Sequence, residues 1–223
     1  MIRTLSILAA SGLALGLGAL VTTAPAGDKK DEKGFTDLFD GKTLKGWKVV
    51  LQGKETEPGK TIVVEEGIIV VSGQPNGYIE TEKSFRNYVV KYDWRYKRPA
   101  KLEDDEKFNG NSGLLVHIQG LPPKGTWPKC VEVQGMNKEH GKIFAIGGAT
   151  GKFTFDAAAL KKARNKVGEW NTTEVLCRDG EITSKVNGTQ VATGKGELTS
   201  GPFGLQSEGA EIHFKNIRIK MLD

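Results

Sequence analysis

Short apolar runs that alternate with polar residues constrain this chain more than any other feature. The pattern is clearest in residues 87–97, where every second position is apolar or aromatic: Tyr88, Val90, Tyr92, Trp94 and Tyr96. Successive side chains of a β-strand point to opposite faces, so this spacing predicts a strand with one buried face. Asp179-Gly180 and Asn187-Gly188 separate further alternating runs and are typical of two-residue hairpin turns.

The full set of predicted strands defines the fold class. Strands are predicted over residues 61–64, 68–71, 87–97, 112–118, 129–134, 142–145, 172–178, 181–186, 190–193, 203–207 and 211–221. A bulge near Lys215-Asn216 would keep both halves of the last strand facing the core, and Asp156 would cap one short helix within residues 156–166. The prediction is therefore an all-β sandwich of two antiparallel sheets with at most one short helix.

The N-terminal residues have the pattern of an export signal. Arg3 precedes an apolar run over residues 5–21, and Ala24-Pro25-Ala26 fits a cleavage site between small residues. The alternative is an uncleaved membrane anchor, for which a run of about 17 residues is at the lower limit. We predict a signal peptide at residues 1–26, a flexible charged tether at 27–33 and a single domain at 34–223, exported to the periplasm or secreted.

Charge and cysteine content exclude several classes of partner. The formal net charge of +5 falls to +4 without Arg3, the charges are interspersed, and no basic helix is present, so nucleic acid is not an expected partner. No second apolar segment follows residue 26, so no membrane association is expected after cleavage. Cys130 and Cys177 both lie in predicted strands, where either a disulfide or two buried free thiols is consistent with export.

Five blocks along the chain carry a resemblance to a known family. They are residues 34–47, which contain Leu-Phe-Asp-Gly-Lys and Gly-Trp; 110–117, which contain Gly-Asn-Ser-Gly; 131–134, Val-Glu-Val-Gln; 168–171, Gly-Glu-Trp-Asn; and 204–217, which contain Leu-Gln-Ser and Phe-Lys-Asn-Ile. In this order they resemble the 3-keto-disaccharide hydrolase domain family, whose members include 3-keto-glucoside 1,2-lyase-like and 3-keto-2-hydroxyglucal hydratase-like proteins. Two departures are Glu208, where many members carry His, and Lys215, where Arg is usual.

The resemblance implies both a fold and an activity. The family has a concanavalin A-like jelly-roll sandwich, which agrees with the alternation of the strands. Together with the predicted export signal, its activity implies an exported enzyme that cleaves or hydrates 3-keto-glycosides: a base removes the C2 proton, and the C1 substituent leaves by elimination. The expected partner is an oligosaccharide or 3-keto-glycoside. The alternative function is a non-catalytic carbohydrate-binding or cell-wall-associated β-sandwich module.

Strand parity indicates which polar residues share a face. Val131 and Val133 would face the core, which directs Glu132 and Gln134 outward. The same reasoning directs His117 outward. It also places further polar residues off the core on their own strands: Asp93, Arg95, Gln206 and Glu208. In one curved sheet these side chains would line a groove suited to sugar hydroxyls, and Trp127, in a loop, would contact the ligand.

The implied chemistry assigns candidate roles to these residues. His117 and Glu132 are the candidate proton-transfer groups. Arg95 would stabilise the enolate, and a divalent metal ion held by a carboxylate and a histidine is the alternative. Asn111, Gln134 and Gln206 would orient hydroxyl groups, and Asp93, Trp127 and Glu208 complete the predicted substrate-binding set. Three other tryptophans are predicted to lie in the core: Trp47, Trp94 and Trp170.

Overall fold

A computed structural model describes residues 32–53, 59–122 and 124–223 of the chain. The predicted signal peptide and residues 27–31 of the predicted tether lie outside the described residues. Residues Lys33–Asp223 form one compact unit. No helix among the described residues is long and apolar enough to cross a membrane.

Most of the described chain is β-strand. In chain order the strands are β1 Thr36–Asp37, β2 Trp47–Leu51, β3 Ile62–Glu65, β4 Ile68–Val71, β5 Gly77–Thr81, β6 Phe85–Arg86, β7 Tyr88–Tyr96, β8 Gly113–Gln119, β9 Lys129–Gln134, β10 Ile143–Ile146, β11 Gly151–Phe155, β12 Asn171–Arg178, β13 Glu181–Val186, β14 Thr189–Gly196, β15 Ser200–Gly201, β16 Gly204–Ser207 and β17 Ile212–Met221. The α-helix within the described residues is α1, Ala157–Ala163, and a short 3₁₀ turn spans Asp105–Lys107. The Asp156 side chain accepts a 2.9 Å hydrogen bond from the Ala159 N–H, which confirms the predicted cap.

These strands form two large antiparallel sheets and one small one. The first has nine strands in the order β11-β14-β13-β12-β7-β17-β4-β3, with β1 also paired to β17. The second has six strands in the order β10-β9-β8-β16-β5-β2, and β15 pairs with β6. One continuous core contains apolar residues from both large sheets, including Val90 and Trp94 of β7 and Val131 and Val133 of β9. The predicted all-β sandwich with one short helix is therefore confirmed.

The two predicted hairpin turns and the predicted bulge are present in the structure. Asp179 and Gly180 have φ of 47° and 84°, and Asn187 and Gly188 have 47° and 82°, as tight hairpin turns require. The register between β17 and β7 shifts between Lys215 and Arg218. That bulge lets Phe214 and Ile217, which differ in parity, both point into the core, as predicted.

Six strands are absent from the predicted set: the longer strands β2, β5 and β11 and the two-residue strands β1, β6 and β15. The most consequential is β5, whose sequence Gly-Tyr-Ile-Glu-Thr contains a single buried aliphatic residue, Ile79. Its apolar alternation is too short to stand out against the flanking polar residues. Pairing with β16 on one side and β2 on the other stabilises it as an inner strand of the six-stranded sheet.

The tryptophans differ in burial, whereas both cysteines are buried. Trp47 and Trp94 are buried, as predicted, but Trp170 is only partly buried, so its predicted core position is wrong. The centre of its ring is 4.6 Å from the Arg95 guanidinium and 4.2 Å from the Lys215 ammonium, because the residue precedes β12 on the outer side of the nine-stranded sheet. Cys130 and Cys177 are both buried free thiols, and no disulfide joins them.

The two environments predict different costs for the same substitution. Trp94→Ala should lower the free energy of unfolding by about 3–5 kcal/mol, because it leaves a cavity in the core. Trp170→Ala should cost about 1–2 kcal/mol, the value of two partly exposed cation–π contacts. Urea unfolding followed by circular dichroism measures both, and equal losses would contradict the assigned positions.

Candidate active site

The outer face of the six-stranded sheet holds a buried carboxylic acid. On β9 the core-facing Val131 and Val133 are fully buried, so Glu132 between them points to the opposite face. Its strand neighbours on that face are Leu115 of β8 and Phe144 of β10. Glu132 is nevertheless only 5% exposed, so its carboxyl group is held in a partly apolar environment.

Gln206 is the polar partner of Glu132. It lies on β16 opposite Tyr78 of β5, while the preceding Leu205 is buried in the core. The Gln206 side-chain amide donates a hydrogen bond to the Glu132 carboxylate. Its carbonyl oxygen Oε1 is buried and has no hydrogen-bond partner among the described residues. A buried acceptor without a partner is costly, which indicates that this oxygen is available for a ligand.

Gly113 makes room for this pair. A Cβ atom added at Gly113 would lie 2.9 Å from Glu132 Oε1 and closer still to Gln206 Oε1. Real Cβ atoms are not found so close to oxygen, so only glycine at this position leaves both side chains where they are. Ser112, just before β8, donates a 2.8 Å hydrogen bond from Oγ to the backbone carbonyl of Gln206 and ties the start of β8 to β16.

Glu208 and Asn111 extend the group along the same face. They form an isolated antiparallel bridge beyond the ends of β16 and β8. The Asn111 side chain donates to the Glu208 carboxylate, while its own Oδ1 is buried without a partner among the described residues. The site therefore presents two carboxyl groups and two free amide oxygens, a set of acceptors suited to the hydroxyl groups of a sugar.

Burial controls the protonation of these acids. It raises the pKa of Glu132 to about 8; the negative charge of Glu208 adds to that rise, and the hydrogen bond from Gln206 opposes it. Burial also raises the pKa of Glu208, against the hydrogen bond from Asn111. Glu132 therefore carries its proton at neutral pH, which is the state required of a general acid.

Two more predicted residues lie on the same face. Trp127 is partly buried and packs against a small apolar cluster made of Tyr78, Leu115, Ile118 and Cys130. Gln134 is also buried there, but its Oε1 accepts the N–H groups of Gly135 and Met136, both at 2.8 Å. Gln134 therefore stabilises the turn after β9 rather than offering a free oxygen.

Asp93 and Arg95 do not join this group, so the predicted convergence is wrong for both. They alternate with the buried residues of β7 and lie on the outer face of the nine-stranded sheet, with the core between them and Glu132. Asp93 accepts hydrogen bonds from Thr172 and Asn216, each at 2.7 Å. Strand parity identifies the polar side of β7 correctly but not the sheet to which β7 belongs.

His117 also lies elsewhere, and its predicted outward orientation is wrong. The register between β8 and β9 shifts between Val116 and Gln119, and His117 has φ of 57°. This bulge turns its ring into the core against Tyr88, with ring centroids 6.0 Å apart. His117 is 1% exposed, and neither ring nitrogen has a well-formed hydrogen bond to a described residue. Burial lowers the pKa of His117 to about 4, against a smaller opposing effect of the Leu198 backbone.

The unpredicted strand β5 adds polar groups to the outer face. Tyr78 and Glu80 flank the core-facing Ile79, and the Tyr78 hydroxyl is buried without a partner among the described residues. Burial raises the pKa of Glu80, and Lys48 opposes that rise. The charge of Glu80 also acts on Tyr78. The signal in the sequence is Ile79: if Gly77–Thr81 is taken as a strand with Ile79 in the core, Tyr78 and Glu80 are directed to the outer face.

No other described region combines these features. A cavity of about 490 Å³ opens where β10 and β11 approach, but its lining has no titratable side chain: Ile143, Phe144, Ala145, Ala149, Thr150, Gly151 and Phe153. Among the described residues, no group of three or more His, Cys, Asp or Glu is placed to hold a metal ion. The acids of the six-stranded sheet are therefore the candidate site.

A comparison with protein families identifies the family of this chain. Residues 34–220 match the 3-keto-alpha-glucoside-1,2-lyase-like domain, a range that contains both large sheets except the last residue of β17. The chain belongs to this family. This match confirms the resemblance predicted from the five sequence blocks.

Individual relatives indicate the broad class of activity. A 3-keto-disaccharide hydrolase of Bacteroides thetaiotaomicron is 21% identical over 245 residues, covering 86% of this chain and 80% of that protein. A provisionally named glycosyl hydrolase of Parabacteroides distasonis is 25% identical with a TM-score of 0.59, covering 85% of this chain and 95% of that one. Carbohydrate-binding module CBM66 of Bacillus subtilis, 14% identical with a TM-score of 0.51 over 78% of this chain and 95% of its own, shares the fold. The protein is thus a carbohydrate-active, glycosyl hydrolase-like enzyme of jelly-roll architecture.

Gly113→Ala tests the geometry of the site. The added methyl group must displace the Gln206 amide and the Glu132 carboxyl, whose side-chain ends can move, so the fold should persist. Displacement of about 1 Å should lower turnover roughly 10- to 100-fold with little change in melting temperature. Gly196→Ala is the matched control, because its Cβ would meet neighbours no closer than 3.4 Å, on β14 of the other sheet. Equal activity of the two variants would contradict the site.

His117→Met tests the core position of the histidine. Since the folded pKa lies below the unfolded value of 6.5, the unfolded state binds the extra proton. The contribution of neutral His117 to the free energy of unfolding is complete above about pH 6.5 and is lost as the pH falls toward 4. Between pH 7 and about pH 4.5, wild-type protein should lose about 2–3 kcal/mol more stability than the variant. Denaturant unfolding at both pH values measures this, and the variant should retain turnover. If the variant lost turnover while its stability depended on pH as the wild-type stability does, His117 would belong to the site rather than to the core.

Proposed function

We propose that this protein cleaves or hydrates 3-keto-glycosides at the outer face of its six-stranded sheet. The observation that carries the proposal is the buried carboxyl group of Glu132 beside the free carbonyl oxygen of Gln206, within a chain of this family. A ketone at C3 acidifies the proton at C2, so a positioned base can remove it and form an enolate. The C1 substituent then leaves, and water can add to the resulting double bond.

The site supplies binding groups for such a sugar. The free oxygens of Gln206 and Asn111 accept hydrogen bonds from ring hydroxyls, which would satisfy two buried acceptors at once. Trp127 packs beside the site and offers an aromatic surface at its edge. An apolar environment around Glu132 excludes water and strengthens each of these interactions.

Proton transfer falls to the carboxyl groups rather than to the predicted histidine. Glu132 faces the site and holds a proton at neutral pH, whereas His117 lies in the core. Arg95 cannot stabilise the enolate from the outer face of the other sheet, where it contacts His213 and Trp170. Assays should therefore be run both with a chelator and with added divalent metal ions, which would provide that charge.

We also propose that the protein is exported. The support is the pattern of residues 1–26: a basic residue, a short apolar run and small residues at the predicted cleavage site. N-terminal sequencing of protein recovered outside the cytoplasm should begin at Gly27. Recovery of uncleaved protein from the membrane fraction would favour an anchor instead.

The activity is tested with a 3-keto-disaccharide, following sugar release and the absorbance of the enone. Wild-type protein should turn it over, and Glu132→Gln should lower the rate roughly 10²–10⁴-fold, because the amide keeps the shape but cannot donate the proton. Arg95→Gln is the control: it removes a predicted site residue that the structure places on the opposite sheet, and activity should persist.

Absence of turnover by wild-type protein, with and without metal ions, would contradict the proposed chemistry. Saturable binding of the 3-keto-disaccharide without reaction would instead indicate a carbohydrate-binding module. Loss of activity in Arg95→Gln, with activity retained in Glu132→Gln, would place the reaction on the nine-stranded sheet and contradict the proposed site.

A further inference from the structure

Glu132 and Glu208 differ in a way that suits two distinct chemical roles. Glu132 faces outward on β9, and Glu208 lies just beyond β16, two residues after Gln206 and with the same parity. Glu132 is 5% exposed and receives a hydrogen bond from Gln206, whereas Glu208 is only half-buried and receives one from Asn111. The more buried acid holds its proton more firmly, and the more exposed one ionises first.

The surrounding groups preserve this difference. Cys130 and Tyr78 share the outer face with Glu132, and burial raises the pKa of both, so they remain neutral at neutral pH. Among the described residues no lysine, arginine or histidine forms an ion pair with Glu132 or Glu208. The negative charge of ionised Glu208 adds to the effect of burial, and together they keep Glu132 protonated against the hydrogen bond from Gln206.

We infer that Glu208 is the catalytic base that removes the C2 proton and that Glu132 is the catalytic acid that protonates the leaving oxygen at C1. This assignment rests on the proposed function and adds Glu208, which sequence reasoning placed only among the substrate-binding residues. It follows from the position of both acids on one face, from their unequal burial and from the separate amide that contacts each.

The electron and proton balance of the cycle needs no reactant besides the sugar and water. The Glu208 carboxylate takes the C2 proton, and the C–H electron pair forms the enolate with the C3 ketone. The enolate then collapses to a C1–C2 double bond as the C1–O bond breaks, and Glu132 transfers its proton to the departing oxygen. For hydration, the Glu132 carboxylate takes a proton from water as it adds to C1, and Glu208 returns a proton to C2, so both acids regain their starting states.

The assignment separates two measurable steps. In D₂O, the base alone exchanges the C2 proton for deuterium, which proton NMR follows on a bound 3-keto-glucoside. Glu208→Gln should lose exchange and cleavage together, each roughly 10²–10⁴-fold. Glu132→Gln should retain exchange but lose cleavage of a 3-keto-disaccharide. Its cleavage of 4-nitrophenyl 3-keto-glucoside should recover to near wild-type, because nitrophenolate departs without protonation.

Glu174→Gln is the matched control, since it removes a carboxyl group from the outer face of the nine-stranded sheet, where Glu174 pairs with Lys91 and Lys185. It should retain both exchange and cleavage, and melting temperatures should show that all three variants are folded. Exchange retained in Glu208→Gln, or lost in Glu132→Gln, would overturn the assignment while leaving the proposed function in place if wild-type protein cleaves the disaccharide. Wild-type protein that neither exchanges nor cleaves would overturn both.

Discussion

The site depends on one constraint: the strict alternation of side chains on β9 and β16 as they pack into the core. Burial of Val131, Val133 and Leu205 leaves Glu132 and Gln206 no direction except the outer face. A slip of one residue would bury the acid in the core and expose the valines. The same hydrophobic burial that stabilises the sandwich therefore also directs its functional groups to one face.

The buried polar groups of the site lower the stability of the fold. Buried acceptors without partners at Gln206 and Asn111 each cost about 1–3 kcal/mol, and the raised pKa of Glu132 reflects a further desolvation penalty. The hydroxyls of a bound sugar would repay part of this by completing the missing hydrogen bonds. Gly113 shows the same compromise, because the smallest residue in a strand interior weakens the strand but leaves space for both side chains.

Sequence reasoning succeeded where a strand is regular and failed where it is not. Glu132 and Gln206 were placed correctly, because β9 and β16 alternate without interruption. His117 was placed on the wrong side by a bulge that shifts the register of β8. Parity also assigns Asp93 and Arg95 to the polar side of their strand, but only the pairing of β7 with β12 and β17 shows that this side faces away from Glu132. Tyr78 and Glu80 were missed with β5, whose apolar alternation is too short to recognise.

The location of the site is the central claim, and a crystal structure with a non-cleavable C-glycoside of a 3-keto sugar tests it most directly. The account predicts a sugar ring on the outer face of the six-stranded sheet, with hydroxyls bonded to Gln206 Oε1 and Asn111 Oδ1 and its C1 substituent within hydrogen-bond reach of Glu132. A ligand bound beside Arg95 and Trp170, or in the cavity between β10 and β11, would contradict it.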